Sequence, residues 1–193
     1  MKRTPVFLLI MVLVLGVAVT ANAKKMKIYV QQDKYAPNMG NTLNVYKDKT
    51  IFLANFENQA ENTSIWYYYG KNSKGKKIYY EAAPTLQSYL WYCWEKALLA
   101  GGMAVHRDTN PKPQEVPELR ITFTSWSDLN FDCEVTVLKA NQQLLRKKYT
   151  ITFDPAEDPD DEAKLEQRAY QSMDKIITSI MGDPELQNAV LGK

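Results

Sequence analysis

Three segments of alternating apolar and polar residues lie within residues 119–153, LRITFTSWSDLNFDCEVTVLKANQQLLRKKYTITF. Their apolar positions recur at every second residue: Leu119, Ile121 and Phe123; Phe131, Cys133, Val135 and Val137; Tyr149, Ile151 and Phe153. Such alternation is typical of antiparallel strands with one buried and one solvated face. The residues from Lys139 to Gln143 suit a hairpin turn between the second and third segments. We therefore predict three antiparallel strands here.

Two long helices are predicted on either side of this region. Pro84–Ala100 has helical spacing and ends at the pair Gly101-Gly102, a combination that favours a C-terminal stop. This helix is apolar on nearly every side, which indicates that more than one neighbour covers it. A second helix is predicted from Asp158 to about Met181, with one apolar stripe and a closing glycine at Gly182.

Strands are also predicted before the first helix. Ile28–Val30 and Ile51–Phe56 are short apolar runs, and the second is apolar nearly throughout, as central strands are. Ile65–Tyr69 and Ile78–Tyr80 flank a polar stretch, which fits either a long hairpin or an irregular aromatic loop. Together these elements predict an α+β two-layer sandwich, in which two long helices lie on one face of a mostly antiparallel sheet.

The N-terminus has the pattern of a secretory signal peptide. Lys2 and Arg3 precede a nearly unbroken apolar run, Val6–Val19, which is followed by Ala21-Asn22-Ala23. The run is shorter than the ~20 residues that a membrane-spanning helix needs. We expect residues 1–23 to be removed, leaving residues 24–193 as a single periplasmic domain. An uncleaved N-terminal anchor is the alternative.

The charge balance argues against binding to nucleic acid. The chain has 24 Lys and Arg against 22 Asp and Glu, and the leader carries two of the cations, so the net charge falls from +2 to 22 − 22 = 0. A neutral chain lacks the clustered cations that displace counterions from nucleic acid. The remaining 193 − 23 = 170 residues suit one domain with a substantial core.

Two cysteines, Cys93 and Cys133, are the only thiols of the chain. In an oxidising compartment a disulfide is one hypothesis, and it would close a loop of about 41 residues and add roughly 4 kcal/mol. Two buried thiols are the other hypothesis, because a helix and a sheet roughly 10 Å apart leave most facing Cα pairs beyond the ~7 Å limit.

The sequence favours a protein without catalytic activity. His106 is the only histidine, and Ser125 and Ser127 do not lie in a nucleophile-elbow context. The acidic run from Asp154 to Glu162 departs from the calcium-binding EF-hand pattern and is better explained by the capping of a helix start. We expect neither a metal nor a cofactor.

An aromatic segment is the best candidate for partner binding. It flanks a lysine-rich loop (Lys71, Lys74, Lys76 and Lys77), and aromatic residues often anchor protein interfaces and headgroup sites. Two apolar residues off the main stripe of the first predicted helix extend the hypothesis. The candidate residues are Trp66, Tyr67, Tyr68, Tyr69, Tyr79, Tyr80, Trp91 and Leu98. Packing in the core is the alternative for each of them.

The order of elements resembles that of small Gram-negative cell-envelope proteins of the YajG-like and ABC-transport auxiliary lipoprotein type. The resemblance rests on the exported N-terminus, the strand Ile51–Phe56, the helix ending at Gly101-Gly102, the region Leu119–Phe153 and the last helix. It implies a non-enzymatic periplasmic helper. Those families carry a lipidated cysteine at the mature N-terminus, where this chain has Lys24.

We therefore expect a non-catalytic accessory protein of the cell envelope that acts through protein–protein contacts. Its partner is expected to be another envelope protein. Contact with the membrane is expected only peripherally or through an uncleaved leader, and the oligomeric state is left open. A carrier of a small ligand or lipid, with a pocket between helices and sheet, is the alternative function.

Overall fold

A computed structural model describes residues 25–60, 66–107 and 114–193; the side chains of residues 66–69 and the predicted leader lie outside this description. The strands are β1 (Met26–Val30), β2 (Thr50–Leu53), β3 (Glu57–Asn58), β4 (Trp66–Lys71), β5 (Lys77–Ala82), β6 (Ala104–His106), β7 (Glu118–Trp126), β8 (Asn130–Lys139) and β9 (Gln142–Thr152). The helices are α1 (Leu86–Ala100), α2 (Glu162–Met181) and α3 (Pro184–Leu191). The predicted α+β class is confirmed.

The strands of the described residues form two sheets. The large sheet has the order β6-β2-β7-β8-β9, and β3 pairs with β7 beyond the end of β2. Its β7, β8 and β9 are antiparallel neighbours, as the alternating sequence predicts, whereas β2 runs parallel to β6 and β7. The small sheet has the order β1-β5-β4, with β1 parallel and β4 antiparallel to β5. The sequence did not predict this second sheet.

Turn chemistry fixes two of the hairpins. Ala140 and Asn141 connect β8 and β9 with φ of 48° and 63°, as a two-residue turn of the primed type requires. Between β4 and β5, the Asn72 side-chain oxygen accepts hydrogen bonds from the Lys74 and Lys76 backbone N–H groups, at 3.1 and 2.8 Å. The aromatic segment therefore forms a hairpin rather than an irregular loop.

Side-chain caps determine where the helices begin. Thr85 caps α1 by accepting a hydrogen bond from the Ser88 N–H, so α1 starts after Pro84 and not with it. Asp161 caps α2, three residues after the predicted start at Asp158. Asp183 caps α3, an additional helix that the sequence analysis did not predict. Within the described residues, no helix combines the length and apolar character needed to cross a membrane.

One hydrophobic core joins both sheets and all three helices. Helix α1 contacts β5 of the small sheet, β6 of the large sheet and α2, which explains why it is apolar on nearly every side. Trp94 of α1 meets Phe56 edge to face, with ring centroids 5.9 Å apart. Among the described residues, α1 therefore contacts both sheets.

Candidate functional site

The strand register gives the outer face of the small sheet its composition. In β1, Met26, Ile28 and Val30 are buried, whereas the alternate residues Lys27 and Tyr29 are exposed. In β5, Ile78, Tyr80 and Ala82 are buried, and Lys77, Tyr79 and Glu81 point away from the core. The outer face is therefore built from lysines and tyrosines, with Glu81 as its acidic residue among these positions.

Pairing across the strands brings these residues together in rows. Lys27 is paired with Tyr79, and Tyr29 with Glu81. From the other side, β4 places Tyr68 opposite Tyr79, Trp66 opposite Glu81, and Lys71 opposite Lys77. Lys25 precedes the pair Met26–Ile78, so it lies level with Lys77. One end of the small sheet thus carries Lys25, Lys77 and Lys71 side by side across three strands.

Two local contacts order this face. Lys27 Nζ lies 2.8 Å from Glu81 Oε2, and this hydrogen bond raises the pKa of Lys27. Lys25 Nζ lies 5.3 Å from the centroid of the Tyr79 ring, within the range of a cation–π contact. Tyr29 is 58% exposed. We call Lys25, Lys27, Tyr29, Lys71, Lys77, Tyr79 and Glu81 the lysine–tyrosine face.

The structure corrects part of the predicted aromatic site. Tyr80 is only 1% exposed, and its hydroxyl donates a hydrogen bond of 2.6 Å to the Leu165 carbonyl oxygen, so it belongs to the core. Tyr79 remains on the outer face. For Trp66, Tyr67, Tyr68 and Tyr69 only the backbone is described, and the predicted exposure of their side chains lies outside the described residues.

Leu98 is a second correction. Leu98 is 0% exposed, because α1 is covered on the side that was predicted to be exposed. A partner therefore cannot touch Leu98 directly. The next residue, Leu99, is 51% exposed.

Trp91, in contrast, lines a surface cleft of about 260 Å³ together with Asn55, Phe56, Gln87, Ser88, Tyr92 and Arg107. The Trp91 indole N–H donates a hydrogen bond of 3.0 Å to the Ala54 carbonyl oxygen, which fixes the ring. Tyr92 meets it edge to face at 5.2 Å between ring centroids. We call this feature the Trp91 cleft.

A buried carboxylate positions the cation of the Trp91 cleft. Glu95 is only 6% exposed and accepts two hydrogen bonds from Arg107, at Oε1 from Nε and at Oε2 from Nη2, the latter at 2.7 Å. The guanidinium carbon of Arg107 lies 5.5 Å from the Trp91 ring centroid. This bidentate pair holds Arg107 beside the indole and neutralises its charge.

Both cysteines are free and buried. Burial is the main cause that raises the pKa of Cys93 and of Cys133 to about 12 each. At neutral pH both groups are therefore protonated thiols, and a protonated thiol is a poor nucleophile and metal ligand.

The acidic run caps the N-terminus of α2. Asp161 Oδ1 accepts hydrogen bonds from the Ala163 and Lys164 N–H groups, and Asp158 lies 3.0 Å from Lys164 Nζ. Across residues 25–60, 66–107 and 114–193, no three His, Cys, Asp or Glu residues converge as a metal site would require. His106 ends β6.

Several residues of these surfaces were not predicted from the sequence. Lys25, Lys27 and Tyr29 alternate with Met26, Ile28 and Val30, and that period of two was a usable signal in the sequence. Arg107 and Asn55 had no such signal, because only the fold brings the residues after β2 and β6 next to α1.

The described residues form an α+β protein whose surface includes the lysine–tyrosine face and the Trp91 cleft. No family model and no curated protein matches its sequence. The fold is similar to that of protein XCC0632 from Xanthomonas campestris, of the family DUF330, with a TM-score of 0.55 at 14% identity over 84% of this chain and 95% of that chain. A crystal structure of a protein described as uncharacterized gives 0.52 at 14% identity, over 81% of this chain and 99% of that one. At this level of identity the similarity concerns the fold alone.

Proposed function

We propose that this chain is an exported, non-catalytic accessory protein of the cell envelope that acts by binding another envelope protein at the Trp91 cleft. The export step rests on the leader sequence, and the helper role rests on the resemblance to YajG-like and ABC-transport auxiliary proteins. The periplasm is the proposed compartment.

The composition of the Trp91 cleft carries this proposal. Trp, Tyr and Arg dominate the energetics of protein interfaces more often than other residues, and Trp91, Tyr92 and Arg107 are adjacent here. The indole is held by the Ala54 carbonyl oxygen and the guanidinium by Glu95. Pre-ordered side chains lose little conformational entropy when a partner binds.

The exposed side of α1 extends the surface beyond the cleft. Tyr92 and Leu99 are both exposed and lie seven residues, or about two helical turns, apart. They therefore share one side of the helix. An apolar contact of this kind suits the surface of a folded protein partner.

The structure gives less support to the alternative function of a lipid carrier. A larger surface groove, of about 390 Å³, lies between the segment after β9 and α2, but charged residues of both signs line it, including Asp154, Glu157, Lys164 and Lys175. Lipid chains require a mainly apolar pocket. The proposal therefore rests on the Trp91 cleft.

Site-specific photo-crosslinking in intact cells tests the binding site. A photoreactive residue at Tyr92 should capture a discrete envelope protein, and the double variant Tyr92→Ser, Leu99→Ser should release that protein in a pull-down. Leu144 of β9 is the matched control, because it is also an exposed apolar residue but lies on the large sheet. Equal crosslinking at Tyr92 and Leu144 would refute the cleft as the binding site.

Cell fractionation and intact-mass measurement test the compartment. We expect the native chain in the periplasmic fraction with Lys24 as its first residue. A full-length product in the cytosol would contradict the proposed export and, with it, the envelope role.

A further inference from the structure

We propose that the lysine–tyrosine face binds the anionic headgroup surface of a phospholipid bilayer. This surface is separate from the Trp91 cleft, so the inference goes beyond the proposed function: it concerns where the protein sits and not which protein it binds there.

The positive charge of the lysine–tyrosine face favours binding to an anionic surface. Four lysines, Lys25, Lys27, Lys71 and Lys77, share it with one acidic residue, Glu81. Lys71 and Lys77 are directly paired, and Lys25, the residue before β1, lies level with them. Because like charges directly opposite each other destabilise a sheet, an anionic surface would stabilise the pair Lys71–Lys77. A layer of anionic headgroups supplies negative charge over an extended area.

The tyrosines of the face also favour binding at a membrane surface. Tyr29 is largely exposed and Tyr79 is half-buried beside Lys25. Tyrosine and tryptophan are enriched where a membrane meets water, because each has an apolar ring and a polar group that stays hydrated. Lysines for charge and aromatic rings for the interface thus occur together.

The predicted leader lies just before the lysine–tyrosine face in the sequence. The apolar run Val6–Val19 precedes Lys25 and β1 in the chain, and β1 carries Lys27 and Tyr29. A retained leader would tether this sheet to the membrane. A removed leader would leave Lys24 and its α-amino group, two further positive charges, next to Lys25. Either outcome favours the approach of this face to an anionic surface.

Acidic residues near the hairpin tip limit how the lysine–tyrosine face can approach an anionic membrane. Ser73 at the tip of the hairpin donates a hydrogen bond to Asp160 of the acidic run, so anionic groups border the tip. An anionic membrane repels these acidic groups. The strand surface, and not the hairpin tip, is therefore the contact area in this proposal.

Co-sedimentation of the native chain with vesicles provides the test. We expect binding to phosphatidylglycerol vesicles, weaker binding at high salt, and little binding to phosphatidylcholine vesicles. The triple variant Lys25→Gln, Lys71→Gln, Lys77→Gln should bind phosphatidylglycerol about a hundredfold more weakly, since each lysine near such a surface contributes about a factor of five. Tyr29→Ala should weaken binding several-fold.

The matched control removes three positive charges from the large sheet, in the variant Lys139→Gln, Arg146→Gln, Lys148→Gln. It should keep most of the vesicle binding, and both triple variants should unfold at temperatures close to that of the native chain. Equal losses in the two variants, or equal binding to both lipids, would overturn the proposal. So would an acidic protein crosslinked at Tyr29 in the absence of any vesicle binding. The crosslink at Tyr92 reports separately on the proposed function.

Discussion

The outer faces of the two sheets follow the same alternation but carry their charge differently. On the large sheet, Arg120 lies 2.7 Å from Glu118, and Arg146 lies 2.8 Å from Glu134. On the small sheet, Lys27 pairs with Glu81, whereas Lys71 and Lys77 face each other. The large sheet neutralises its charges within the fold, and the small sheet retains an excess of positive charge. This contrast distinguishes a solvated face from a candidate docking face.

The largest effect is expected from substitutions on the two sides of β5. We expect Tyr80→Ala to destabilise the fold by about 3–5 kcal/mol, because it empties a buried aromatic site and leaves the Leu165 carbonyl without its hydroxyl partner. Tyr79→Ala, on the outer face, should change stability by less than about 1 kcal/mol. Urea unfolding of both variants measures the difference. Equal losses would show that the outer face is also core.

A second pair of variants tests the helix between the sheets. Leu98→Ala should cost about 2–4 kcal/mol, because Leu98 is fully buried. Leu99→Ala should cost less than about 1 kcal/mol. Thermal unfolding compares the two. A stable Leu98→Ala variant would place that side of α1 at the surface and restore Leu98 as a contact residue.

A third prediction compares ion pairs on the two outer faces. Glu118 is only 4% exposed at its side chain, so Arg120→Met should cost about 1–2 kcal/mol by removing a partner of a buried carboxylate. Lys27→Met should cost less than about 1 kcal/mol, since the Lys27 side chain is 44% exposed. Chemical denaturation distinguishes them, and an opposite order would mean that the small sheet depends on its exposed pair.

The smallest expected effect concerns the thiols beneath the large sheet and in α1. Burial raises the pKa of Cys93 and Cys133 from 9.0 to about 12, so neither should react with iodoacetamide at pH 8 until the chain is unfolded. The same shift means that stability falls once the pH rises above about 9, because the unfolded chain ionises its thiols first. Mass spectrometry after labelling provides the measurement. Rapid alkylation of the folded chain would contradict the buried position of the thiols.

The sequence was most informative where one face of an element is buried. The alternation at Leu119–Val137 predicted β7 and β8, and the glycines at 101 and 182 predicted the ends of α1 and α2. It was less informative for α1 itself. A helix that is apolar on every side gives no sign of which positions stay open, and so Leu98 was placed on the wrong side while Trp91 was not.

Local periodicity and turn chemistry are properties of neighbouring residues, so the α+β class, the hairpin of β8 and β9, and the two long helices could be predicted from the sequence alone. Which faces remain open depends on contacts between residues far apart in the chain. Only the tertiary structure assigned β1 and β5 to a separate sheet and brought Lys25 level with Lys71 and Lys77. The position of Arg107 beside Trp91 also depends on the tertiary structure, because β6 pairs in parallel with β2 and its end lies next to α1.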